Sequence, residues 1–453
     1  MKSFNLVLFL LIFLSASIFA QNTEASRRDT ILYGTETEIA ALIQTLRSEN
    51  ADYLDEELLT LVETTRNQRI LTGVFGFFGD REQSGLEERA IRAIVERDLE
   101  SNETVHSAMD YLGKLRYADA VPIIIEILDT EERRFLNTGF RALGRVASSD
   151  STLAGEAVDF LIDYYENRNP GQENQRDIII SIGTAKSVNG VSFLAGLASN
   201  TDERIALRMA ALEALASIGD AGGLEAILEC VNTSDPNVRS AAVAALGPFS
   251  GEEVDRAILE GFRDSYYRTR IAAAQAARDR RLEAAVPFLQ FRAERDEVAN
   301  VRDEAVRALG AIANSEAVTV LENLFTERRN SDRIRLLSAE MLMKHNADNY
   351  LGQVVSELEE ARIRNQTNLL NGFLRLAGEA VVSADKTEIR DLARRFMQTG
   401  SLLEKLYGLD MAANNNLVEL DADILILVND RNQSISGRAV RTAERLGIEI
   451  PET

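Results

Sequence analysis

The chain has 453 residues, with 72 acidic against 50 basic side chains, a formal net charge of −22 and 45 % apolar residues. One cysteine excludes a disulfide framework and a thiolate zinc cluster, and two histidines leave little for a His-rich metal centre. The acid excess speaks against nucleic-acid binding, which needs a basic footprint, and only 6 prolines in so apolar a chain point to a folded, helix-rich protein.

Met1-Lys2-Ser3 lead into an unbroken apolar run, Leu6 to Leu14, and Ser15-Ala16-Ser17-Ile18-Phe19-Ala20 then give way to polar Gln21-Asn22. One positive charge, a short apolar stretch and small residues before polarity are expected of a secretory signal peptide, residues 1–20, cleaved after Ala20. The run is too short to span a bilayer, and no later stretch is long enough, so the mature chain is expected to have no stable membrane span. Export would place the protein in the periplasm or outside the cell. Gln21 through Thr35 are read as a polar, flexible segment before the first helix.

From residue 36 to 453 the chain repeats. Val238-Arg239-Ser240-Ala241-Ala242-Val243-Ala244-Ala245-Leu246-Gly247 returns as Val301-Arg302-Asp303-Glu304-Ala305-Val306-Arg307-Ala308-Leu309-Gly310. With the Leu or its equivalent as a ruler, positions fall at 112, 143, 182, 215, 246, 277, 309 and 342, in steps of 31 to 39 residues. Fainter marks at Phe78, Leu46, Leu376, Met411 and Leu446 extend the series to about twelve units. The longest step coincides with Glu166 to Gln175, a polar Pro-Gly stretch read as a lengthened loop.

Each unit holds two helical patterns. The first opens at an acidic or hydroxyl cap, as at Asp235 before Pro236, carries small residues along its middle, and is expected to end at a glycine-bearing stop, as in Ser217-Ile218-Gly219-Asp220. The second repeats apolar residues at helical spacing: Val121, Ile124, Leu128; Leu224, Ile227, Val231; Val318, Leu321, Phe325. Pro122 and Pro287 follow its opening valine. The expected fold is all-α, an α-solenoid of stacked antiparallel helix pairs of about 31–35 residues, because one such pair buries too little surface alone.

These residues resemble HEAT repeats of the short bacterial, phycobilisome-lyase-like type, on the strength of Val-Arg-x-x-Ala-x-x-Ala-Leu-Gly and of Ala285-Val286-Pro287-Phe288-Leu289. The resemblance implies a scaffold for protein–protein interaction, with second helices lining the concave side and no cofactor. It also names enzymes to test. A di-iron hydroxylase of the deoxyhypusine type needs His-Glu pairs, but His106 precedes Ser107 and His345 precedes Asn346, and both histidines are read as surface or cap residues. A DNA glycosylase or bilin lyase finds no support, and no phosphate loop, zinc-protease helix or nucleophile elbow is present.

No catalytic, cofactor-binding or metal residue is therefore expected, and no binding residue is singled out. Arg208, Arg239, Arg270, Arg302 and Arg335 recur at one helical position and are expected to pair with acids such as Asp202, Asp235 and Asp332. Arg278-Asp279-Arg280-Arg281, Arg328-Arg329 and Arg394-Arg395 are read as solvated helix ends. Tyr164-Tyr165, Tyr266-Tyr267 and Phe75 to Phe78 are read as packing aromatics, and Cys230 as a small buried hydrophobe. The leading expectation is a non-catalytic exported scaffold for protein partners. The alternative is a metal-binding or enzymatic accessory protein with an acidic concave groove that collects Ca²⁺.

Overall fold

The computed structural model describes residues 24–451, so the expected leader lies outside the described residues. Among these residues every regular element is helical, in keeping with the all-α solenoid. First helices stack on first helices. In the N-terminal unit they are Glu36–Glu49, Gln68–Asp80, Asn102–Leu115, Arg133–Ala147, Gln172–Ala185, Ile205–Ile218 and Pro236–Ala245. In the C-terminal unit they are Tyr267–Arg280, Ala299–Ile312, Asp332–His345, Thr367–Glu379, Leu402–Asn414 and Gln433–Leu446. Second helices such as Val121–Asp129 and Val286–Arg295 form the other layer, and each unit's core lies between its two layers.

Local sequence explains where these helices begin. Asp235 accepts from the backbone N–H of Asn237 and Val238 at 2.8 and 3.1 Å. Thr35 with Glu38 and Ser401 with Glu404 close capping boxes, which satisfy donors that a helix start leaves open. Pro122 and Pro287 sit in the first turn of their helices, where a missing N–H costs nothing. Every ruler residue from Leu46 to Leu446 is at most 9 % exposed, so the period read from the sequence is the period of the core.

Three expectations differ from the structure. Residues 24–33, read as flexible, are helical: Arg27 pairs with Glu49 at 2.6 Å, Arg28 with Glu57 at 2.5 Å, and Ile31 is buried. The extra residues near Pro170 are mostly helix, because Ser151–Asn167 is 17 residues long and the loop proper is only residues 168–171. Gly113, Gly144, Gly183 and Gly310 do not stop their helices, which run on to Leu115, Ala147, Ala185 and Ile312. They are contact points instead. A Cβ on Gly144 would lie 2.9 Å from the Cα of Ser181, and one on Gly183 would lie 2.7 Å from the Cα of Ala214. The left-handed turn comes three residues after this glycine position, at Gly219 and at the non-glycine residues Arg116, Lys186 and Ala313.

The repeat pattern by itself expects one array from 36 to 453. The structure divides the chain into two compact units, between Ala245 and Leu246. The division falls where Pro248 disfavours helical geometry at Gly247, so the helix ends at Ala245. Gly251 follows at φ +131°, backbone that an L side chain rarely adopts.

Candidate interaction surface

The recurring arginines are structural. Arg208 Nε donates to the carbonyl of Ala198 at 2.9 Å, and Arg335 Nε to that of Phe325 at 3.0 Å. Arg239 donates to the carbonyls of Thr233 and Ser234, and Arg302 to those of Asp296 and Glu297. The guanidinium thus reaches back to carbonyls at the end of the preceding helix or turn, groups that helices leave without internal partners. Asp235, expected as one of their partners, caps its own helix. The carboxylates these arginines do meet belong to later segments. Arg270 holds Asp296 through two bonds of 2.7 and 2.8 Å, and Arg335 reaches Glu357.

A groove of about 790 Å³ opens on the first helices of the N-terminal unit, from Glu36–Glu49 through Arg133–Ala147. The sequence expectation placed the concave, binding side on second helices; the groove is lined by the first helices and the residue before one of them. Small residues account for this, since Gly76, Gly113 and Gly144 let first helices approach closely. Its charged lining is Arg47, Arg69, Lys114, Arg141 and Arg145, against Glu103 and Asp110. The alternative reading expected an acidic, cation-collecting groove; here bases outnumber acids. Among the described residues no group of His, Cys, Asp and Glu is arranged to hold a metal ion.

Three of the groove's cations share Asp110 and the adjacent Asp80 in a line that crosses the repeats. Arg47 bonds Asp80 at 2.5 Å, Lys114 bonds Asp80 at 2.9 Å and Asp110 at 2.8 Å, and Arg145 bonds Asp110 at 2.8 Å. Burial works against the charged form of Asp80, yet Lys114 and Arg47 hold its carboxyl below the usual range. Burial also opposes the charge of Lys114, and Asp110 and Asp80 overcome it, so its ammonium is held more firmly than usual. Arg141 donates to the side-chain oxygen of Asn137 at 2.6 Å, a neutral acceptor. Arg69 has no carboxylate within ion-pair distance among the described residues.

His106, read as a surface or cap residue, lines this groove, half-buried edge-on to Phe135 with ring centroids 5.5 Å apart. Burial pushes its pKa down; Glu103 opposes the shift and Arg141 adds to it. Its buried Nδ1 has no hydrogen-bond partner. His345 ends the helix Asp332–His345 and is exposed. Sequence reasoning missed the groove because its residues come from four repeats. The one available signal was that Lys114 and Arg145 stand two residues past ruler positions 112 and 143.

The remaining singled-out residues are absorbed by packing. Phe75, Phe77 and Phe78 are buried, Tyr164 packs edge-on to Phe140 at 5.0 Å, and Tyr165 packs on Phe193 at 5.1 Å. Cys230 is buried, with its thiol on the carbonyl of Ala198, and burial raises its pKa. The short basic clusters bridge repeats: Arg278 pairs with Glu304, Arg328 with Glu360, and Arg395 with Glu359. Arg394 and Arg395 lie within Thr387–Thr399 rather than at its end.

No curated protein matches the chain. Among solved structures it is similar to Kap121p bound to RanGTP, with 12 % identity over 93 % of this chain and 52 % of that one, and a TM-score of 0.41. An engineered protein is 16 % identical over 86 % of this chain and 98 % of its own, with a TM-score of 0.34. Human deoxyhypusine hydroxylase is 19 % identical over 60 % of this chain and 96 % of its own, with a TM-score of 0.24. The chain spans about half the length of Kap121p, and these likenesses concern the fold alone. The spirochaete HEAT repeat protein family matches residues 31–442, the span of the repeats described above, and the chain belongs to that family.

Proposed function

We propose that this HEAT-repeat protein is a non-catalytic scaffold, exported to the bacterial envelope, whose first-helix face engages a protein partner. The observation that carries the reading is the groove itself. Consecutive repeats present charged side chains side by side on one surface, a geometry that suits a long partner better than a small substrate. Export is supported by the pattern from Lys2 to Ala20.

Each half of the proposal has its own test. Intact-mass measurement of the protein recovered from its native host should give a chain beginning at Gln21; recovery with Met1 still attached removes export. Crosslinking in that host, followed by peptide mass spectrometry, should join first-helix residues of the N-terminal unit to another protein. Steady turnover of a small substrate by the purified protein alone would overturn the scaffold reading.

A further inference from the structure

We infer that the groove on the first helices of the N-terminal unit receives an extended, carboxylate-bearing segment of the partner, with Arg69 and Arg141 as its open anchors. The inference deepens the scaffold reading and rests on it for the class of partner.

Charge bookkeeping within the groove carries the argument. The chain has 22 more acids than bases, yet the charged lining of this groove is five cations against Glu103 and Asp110. In the groove, Arg47, Lys114 and Arg145 consume Asp80 and Asp110 between them. Arg141 donates to Asn137, which itself donates to Asp177, so that carboxylate faces Arg141 without a direct bond to it, and Arg69 has no carboxylate within ion-pair distance among the described residues. Both are exposed. Two guanidinium groups with unused donors, a few repeats apart on one surface, suit carboxylates that arrive from outside.

The groove's form fits an extended chain. Gly73, Gly76 and Ala142 put little bulk between the charged rows, while Ser107 offers a hydroxyl to a peptide backbone. Packed helices lie ~8–10 Å apart, and an extended chain advances ~3.3 Å per residue. One rung of the groove therefore matches about three residues, so an acid at every third position meets successive repeats. At ~0.15 M salt charges farther than ~8 Å are largely screened, and the local excess of cations decides the sign of the site. A peptide can set neutral residues opposite Glu103 and Asp110. A nucleic acid cannot, since every nucleotide carries a phosphate.

The test is fluorescence anisotropy with a fluorescein-labelled (Glu-Gly-Ser)₃ peptide and the purified protein. Saturable binding is expected in 50 mM salt, weakening as salt is raised. The double variant Arg69→Glu/Arg141→Glu should lose at least tenfold in affinity, and Arg69→Gln/Arg141→Gln should lose an intermediate amount. Arg263→Glu, an exposed site on the C-terminal unit, should stay within twofold of the parent. The proposal is overturned if the double variant binds as the parent does, if Arg263→Glu is equally damaging, or if a nine-nucleotide dT strand binds as tightly as the peptide. Absence of peptide binding, with host crosslinks to a protein partner intact, removes the groove assignment and leaves the scaffold reading standing. Peptide binding without any such partner does the reverse.

Discussion

Arg270 and Asp296 show how much a single pair can carry in a stack of repeats. Arg270 is 4 % exposed and Asp296 3 %, and the carboxylate also accepts from the N–H of Val298 at 3.0 Å. Arg270→Met removes two charge-assisted bonds to Asp296 and leaves that carboxylate with Arg292 at 3.2 Å, so it should destabilise the protein by about 3 kcal/mol, the low end for a broken buried pair. Urea denaturation checks this. A loss under about 1 kcal/mol means that water reaches the site. A smaller effect is expected at the turns. Ala313 holds φ +50° at the end of Ala299–Ile312, a conformation that costs an L residue ~1–2 kcal/mol. Glycine relieves that strain but loses part of the gain to unfolded-state entropy. Ala313→Gly is therefore expected to stabilise by about 0.5–1 kcal/mol in the same assay.

At the scale of elements, the first helices depend on missing side chains as much as on present ones. An alanine in place of Gly144 should favour the helix by ~1 kcal/mol on propensity alone. The new methyl, however, would lie 2.6 Å from the backbone oxygen of Ser181, and backbone cannot rotate away. Overpacking of this kind costs ~1–3 kcal/mol, so Gly144→Ala should lower the melting temperature, whereas Gly196→Ala, with nothing nearby, should not. Equal shifts for the two would show that the helices separate freely. This close approach also makes the first helices the surface on which side chains from successive repeats meet.

At the scale of the molecule, charge and pH are linked. Asp296 is buried and Glu340 and Glu404 are partly so, which favours the neutral acid, yet bonds from Arg270, from Lys344 and Arg375, and from Ser401 hold them below their usual pKa. Hydrogen bonds from Arg97 and Arg134 do the same for Glu132. A depressed carboxyl binds fewer protons folded than unfolded. Its contribution is present above the unfolded pKa of ~4 and is lost as pH falls through the folded value. Asp177 opposes the trend, since burial raises its pKa. His106, depressed by burial, adds a loss that begins below its unfolded pKa of ~6.5. Melting temperature should therefore decline slightly from pH 7 to 5 and steeply below about pH 4. His106→Gln should flatten the first part alone, and a variant that keeps the full decline from pH 7 to 5 would remove His106 as its source.

The helix pairs, their period and their caps are legible in the sequence, because these are set by neighbours along the chain. Asp235 caps its own helix, Pro122 starts its own, and the ruler residues from Leu46 to Leu446 face the core since helical spacing puts them there. The sequence also showed the recurrence of Arg208, Arg239, Arg270, Arg302 and Arg335, but not their partners. Those partners are backbone carbonyls, which leave no mark in a sequence, or acids such as Asp296 that lie 26 residues away. Gly219 ends its helix as expected, whereas Gly113, Gly144, Gly183 and Gly310 are close contacts inside theirs; glycine suits both roles, and only the position of the next helix distinguishes the two. The groove was illegible for the same reason. Arg69, His106, Lys114 and Arg141 belong to three different helices, and a basic surface on a chain of net charge −22 exists only where the fold brings those helices side by side.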